Sequence, residues 1–144
     1  MWKLEFEGEF SCQPKSLGRP RGTKKGSFYT SQKDRTYQLI QIQSLGKVPE
    51  TIEGPIRIEI IFLSTRPKRL LRASDPEGRV MKITRPDVDN LVKMVLDILT
   101  KWKIWLDDSQ VVSLEAKDFY CSKIELPKTE FKIYTHQITH RITK

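Results

Sequence analysis

Polar and apolar residues alternate at the start of the chain, with Trp2, Leu4, Phe6 and Phe10 on one side and Lys3, Glu5 and Glu7 on the other. A period of two predicts a β-strand over residues 2–10. From Cys12 to Ser31 the residues Pro14, Gly18, Pro20, Gly22 and Gly26 recur with basic residues between them. Such a run continues neither regular element and reads as a long loop. Tyr37, Ile40 and Leu45, separated by polar residues, predict a short amphipathic helix over 32–45 that ends near Gly46. Ile56, Ile58 and Ile60 follow a Gly54-Pro55 turn signal and give the strongest strand signal, over 55–63. Residues 66–84 contain Pro67, Pro76 and Gly78 and predict a second long loop, a length that in a compact domain is more often functional than decorative.

Val88, Leu91, Val92, Val95, Leu99 and Trp102 are spaced as the buried face of a main helix. Val112, Leu114, Ala116 and Tyr120 then predict a strand over 110–121, and the Ile- and Thr-rich stretch 131–142 predicts another. The expected architecture is α+β (mixed α/β): one domain over 1–144, with a mixed sheet of at least four strands packed with two main helices. The order is strand, helix, strand, helix, strand, strand.

Composition narrows the class. A chain of 144 residues with 38% apolar content is long enough to bury one core of its own. The N-terminus alternates rather than running apolar, so no secretory signal is expected, and no stretch approaches the roughly 20 apolar residues of a membrane span. Cys12 and Cys121 are isolated, which suits reduced thiols and a cytoplasmic location. His136 and His140 are four residues apart. On the strand expected there they would lie roughly 13 Å apart, so no shared zinc is expected.

Charge adds a partner. With 26 Lys and Arg against 18 Asp and Glu, the chain carries a formal net of +8. Residues 15–35 hold seven bases against one acid and residues 66–85 seven against two, so the remainder of the chain nets −3. Clustering of this kind builds a field for polyanions, with the solvated lysine-rich face as the plain alternative.

Within this basic chain, Arg85 to Lys93 and Trp105 to Val112 hold four acids and one lysine, Asp87, Asp89, Asp107, Asp108 and Lys93. Taken singly, each has an ordinary explanation. Asp87 and Asp89 would suit a helix N-terminus, Asp89, Lys93 and Asp97 a solvated ladder of ion pairs, and Asp107 and Asp108 a polar turn. Together they suit a divalent-metal site acting on phosphodiesters, because one helix and a short connection return the chain from Asp89 to Asp108. Magnesium, a hard cation, takes oxygen ligands and can neutralise charge on non-bridging phosphate oxygens. A lysine one turn from the acids would either separate the carboxylates or offset phosphate charge.

The run Arg85 to Val112 closely resembles the RusA-type crossover junction endodeoxyribonucleases, the Holliday-junction resolvases of bacteria and their phages. The shared pattern is Asp87-Val88-Asp89-Asn90, Lys93, Asp97-Ile98-Leu99 and Asp107-Asp108-Ser109-Gln110-Val111. It is dense over about 30 residues and looser elsewhere, where Pro14 to Arg21 and Phe28-Tyr29-Thr30 look like the basic N-terminal segment of many members. Ile98 departs from the commoner Ala, and the Leu70 to Met81 loop has no detailed match. The resemblance implies that Asp87, Asp89 and Asp108 are catalytic, metal-binding aspartates and that Lys93 is the essential lysine, with Asp107 the lesser member of its pair.

It also implies magnesium as cofactor with manganese as a substitute, no small-molecule cofactor, no membrane, a four-way DNA junction as partner, and a homodimer making paired nicks. Arg19, Arg21, Lys24, Lys25, Arg66, Lys68, Arg69 and Arg72 would then contact phosphates. Phe28 or Tyr29 would stack on an unpaired base, or equally pack on the core. Three functions compete: a magnesium-dependent resolvase, with a nuclease for flaps or forks as its near variant; a branched-DNA binder that does not cut; and a basic assembly factor for a nucleoprotein. Asp89 and Asp108 discriminate, since a binder loses little when either becomes Asn.

Overall fold

A computed structural model describes residues 1–16, 21–22, 28–29 and 48–136. Strands β1 (Trp2–Phe10), β2 (Arg21–Gly22), β3 (Phe28–Tyr29), β4 (Ile56–Ser64), β5 (Val80–Met81), β6 (Val111–Tyr120) and β7 (Lys128–His136) accompany helix α1 (Val88–Lys101). Five strands form one mixed sheet in the order β1-β7-β4-β6-β5, and β2 pairs with β3 apart from it. β7 runs antiparallel to both neighbours, whereas β4 and β6 are parallel. Parallel neighbours need a crossover connection, and α1 supplies it.

The strand at the centre explains the core. On β4, Ile56, Ile58, Ile60 and Phe62 are fully buried or nearly so, and they meet Phe10, Phe131 and Ile133 from β1 and β7. The other face of β4 is mixed, with Arg57 and Glu59 at one end and the buried Leu63 at the other. Arg57 lies over the Tyr134 ring at 5.9 Å and 3.9 Å from Glu115, whereas α1 packs on the face of Ile56, Ile58 and Ile60.

Helix α1 buries Leu91, Val92, Met94, Val95, Ile98 and Leu99. The expected stripe was displaced at both ends: Val88 is 39% and Trp102 37% exposed, and Met94 and Ile98 take their places inside. The reason lies in the exit. Lys103 adopts a left-handed φ of 59°, and the Ile104 N–H reaches back to the Leu99 carbonyl at 3.1 Å. The chain therefore doubles under the helix, and the next aromatic, Trp105, is the one buried. Its Nε1 donates to Thr100 Oγ1 at 2.7 Å.

The predicted strands over 2–10, 55–63 and 110–121 match β1, β4 and β6 to within a residue or so. The strand expected over 131–142 starts earlier, at Lys128; its residues beyond 136 and the helix expected over 32–45 lie outside the described residues. Among the described residues α1 is the one α-helix, so one rather than two is seen. The 66–84 segment is more ordered than a loop, with a 3-10 turn at Lys68–Leu70 and strand β5. Among the described residues, β5 covers only the Phe119–Tyr120 end of β6. The rest of that outer edge carries Val112, 64% exposed, and Leu114, 48% exposed.

Candidate active site

Helix α1 begins at Asp87, whose backbone is extended and whose carbonyl accepts the Leu91 N–H at 3.1 Å. Asp87 is the N-cap residue, but its carboxylate makes no capping hydrogen bond. Asp89 stands in the first turn and Lys93 one turn further along, both exposed.

The Asp107–Asp108 pair divides its work. The Asp107 carboxylate accepts from Ser109 Oγ at 2.9 Å and from the Ser109 N–H, while Gln110 Oε1 accepts from the N–H groups of Leu106 and Asp107. Gln110 then ties this capping box to the rest of the fold by donating to the Ile52 and Gly54 carbonyls, both at 3.0 Å. Asp107 is thus spent on the turn, and its bonds with Ser109, then with Asp108, hold its pKa below the usual carboxylate range. Asp108 is exposed, and the hydrogen bond it shares with Asp107 raises its pKa. Asp97, mid-helix, is raised by desolvation; Lys101 opposes this, Asp108 adds to it and Lys93 opposes it. The turn that carries Asp108 packs against α1.

Beside Asp87 opens a cleft of about 610 Å³ lined by Met81, Ile83, Val88 and the Ala116–Phe119 stretch of β6. Asp108 instead precedes the first residue of β6. At about 3.3 Å per strand residue, Asp87 and Asp108 of one chain sit toward opposite ends of that strand. Accordingly, among the described residues no group of three or more His, Cys, Asp or Glu side chains is gathered where it could hold a metal ion. The donors themselves suit a hard cation, being exposed carboxylates.

Compared with known proteins, residues 11–134 match the family model described as Endodeoxyribonuclease RusA. The chain belongs to the RusA family. It is 33% identical over 138 residues to "Crossover junction endodeoxyribonuclease rusA" of Lactococcus phage r1t, covering 89% of this chain and 98% of that protein. It is 32% identical over 131 residues to "Uncharacterized protein YqaN" of Bacillus subtilis (strain 168), covering 84% and 89%.

The basic residues of this RusA-family chain do not form one class. Lys68, Arg69 and Arg72 are exposed, and Arg72 lies 3.7 Å from Asp75. Arg66, expected to contact phosphate, is 5% exposed. Its guanidinium donates to the carbonyls of Cys121 at 3.0 Å, Leu70 at 3.0 Å, Pro76 at 2.6 Å and Gly78. Arg66 is therefore a strut that shapes the 66–78 loop and is removed from the phosphate-binding set. Arg19, Lys24 and Lys25 lie outside the described residues, as do the side chains of Arg21, Phe28 and Tyr29.

His136 meets Trp2 edge-on at 5.1 Å on β7, and His140 lies outside the described residues. Among the described residues no helix is long and apolar enough to cross a membrane.

Sequence reasoning missed the cluster next to Asp87. Lys82 and Asp118, 3.7 Å apart, have side chains only 4% and 10% exposed, and one oxygen of Asp118 is buried without a hydrogen-bond partner. Burial raises the Asp118 pKa, opposed by Lys82. A signal existed: Asp118 shares its strand parity with Leu114, Ala116 and Tyr120, so a charge fell on a face otherwise apolar.

Proposed function

We propose that this chain is a magnesium-dependent, structure-selective endodeoxyribonuclease that resolves Holliday junctions by paired symmetric nicks, in recombination, repair or phage DNA processing. The observation that carries this reading is the division between spent and unspent acids. The Asp87 carboxylate makes no cap bond, and it is Asp107 that makes the cap bonds of the acidic turn. Asp87, Asp89 and Asp108 would hold the ion, which when bound supplies charge neutralisation at the phosphate and a more acidic water. Lys93, one turn from Asp89, offers a cation to the scissile phosphate, and the exposed Lys68, Arg69 and Arg72 bind flanking phosphates. Lys93→Ala should slow turnover more than it weakens binding, because one lysine is a small part of a net +8. The protein acts in the cytoplasm, where its DNA lies.

A homodimer fits the same geometry. Among the described residues, the part of the β6 edge that β5 leaves unpaired presents exposed Val112 and Leu114. Antiparallel pairing of two copies there would carry the Asp108 end of one strand toward the Asp87 end of the other. Mixing Asp87→Asn protein with Asp108→Asn protein tests this. Shared sites predict that the mixture regains nicking that neither variant shows, whereas a mixture as inactive as its components rules them out.

The activity is tested on an immobile four-way junction beside a fork and a plain duplex of matched sequence, with and without magnesium, and with Asp89→Asn as control. Symmetric metal-dependent nicks at the junction that vanish in the variant are expected. Tight junction binding without cutting, in magnesium or manganese and across several crossover sequences, would leave a non-catalytic branched-DNA binder. Preferential cutting of the fork would make the protein a flap or fork nuclease.

A further inference from the structure

The buried ammonium of Lys82 has three partners for its three protons. Nζ lies 2.8 Å from the Thr84 carbonyl, 3.2 Å from the Pro86 carbonyl and 3.7 Å from Asp118 Oδ2. The Lys82 N–H also donates to the Asp118 carbonyl at 3.1 Å, so the residue is tied to β6 by backbone and side chain alike. Two residues on, Thr84 Oγ1 meets the Tyr120 hydroxyl at 2.7 Å, a second tie to the same strand. The peptide that Lys82 grips last, at Pro86, is the one joined directly to Asp87. On the other side of Asp87, its carbonyl is held by the Leu91 N–H. Both peptides flanking Asp87 are therefore fixed while its carboxylate makes no cap bond, which is an economical way to aim an acid.

We infer that Lys82, seated on Asp118, is a positioning residue that sets the direction of the Asp87 carboxylate through the Thr84 and Pro86 carbonyls. The inference rests on the reading of Asp87 as a metal ligand. A cation used only to neutralise Asp118 would need neither carbonyl. A cation meant for DNA would not be buried. Groups that orient ligands in this way typically change metal affinity or turnover about 10- to 100-fold when removed.

Three variants carry the test: Lys82→Met; Lys82→Met with Asp118→Asn, which leaves no buried unpaired charge; and Lys82→Arg, which keeps the charge but not the paired carbonyl geometry. Thermal melting establishes which of them fold. On those, junction affinity without metal, magnesium affinity by calorimetry and cleavage at saturating junction are compared with wild type. The expected result is metal-free junction binding within about twofold, magnesium affinity and cleavage each reduced on the order of tenfold, and a smaller loss in Lys82→Arg. Wild-type magnesium affinity and cleavage in any folded variant would overturn the inference. So would failure of all three to fold, which would make the pair a stability element. Asp87→Asn runs alongside: if it cleaves normally the reading of Asp87 falls, whereas an inactive Asp87→Asn beside normal Lys82 variants removes only the positioning role.

Discussion

Arg66 and Asp108 each stand at the head of a charged turn, and they are used in opposite ways. Arg66 is buried, and its guanidinium is engaged by the carbonyls of four residues. Asp108 is exposed, and the cap bonds of the turn are made by its neighbour Asp107. Counting charges treats the two alike. What separates a strut from a reactive group is whether its hydrogen-bonding capacity has already been used by the fold.

The sharpest way to break this contrast is inside the acidic turn. Asp108→Asn should reduce cleavage at least about hundredfold with junction binding kept, since it removes a proposed ligand. Asp107→Ala should instead lower the urea unfolding midpoint, through loss of the cap, and leave most of the cleavage. Equal loss of activity in both would end the division of labour.

Next comes the basic loop. Arg66→Met strands buried carbonyls and should lower stability by about 3 kcal/mol, read from the denaturant midpoint. Arg69→Ala should leave stability within about 0.5 kcal/mol but reduce the slope of log junction affinity against log salt by about 0.9. An unchanged slope would take Arg69 out of the DNA-contacting set.

The smallest expected effect concerns pH. Arg79 binds Glu125 at 2.7 Å and holds its pKa at about 2, below the ordinary 4.5. A depressed carboxylate stabilises the fold above its unfolded value and loses that contribution as pH falls through the folded one. Arg79→Ala should therefore lower the melting temperature at neutral pH, with the deficit shrinking between pH 4.5 and 2. A deficit constant with pH would show that Arg79 acts by packing instead.

Much of this was legible in the residues. The alternating isoleucines of β4 specify a strand buried on one face, and the Asp87 to Val112 pattern marked both acidic segments and the helix between them. The ends of that helix were not legible, because the left-handed turn at Lys103 decides whether Trp102 or Trp105 is buried, and no local period encodes it. Nor was the fate of Arg66. Its partners at 70, 76, 78 and 121 become neighbours only when the loop closes over the end of β6. Asp118 left a trace as a charge out of place, but its link to Asp87 runs through backbone carbonyls, which carry no residue-type signal.

The pairing of Trp2 with His136 has a consequence for synthesis. Among the described residues β1 is hydrogen-bonded into the sheet only through β7, the last described strand to leave the ribosome. At the usual 5 to 20 residues per second, β1 waits roughly 7 to 27 s for its partner. During that interval Leu4 and Phe6 are carried on a strand without its partner, and a chaperone that shields short apolar segments would find its target in β1. A chain stopped before Lys128 would lack the strand that hydrogen-bonds both β1 and β4, and only side-chain contacts such as that of Phe10 with the core would still hold β1.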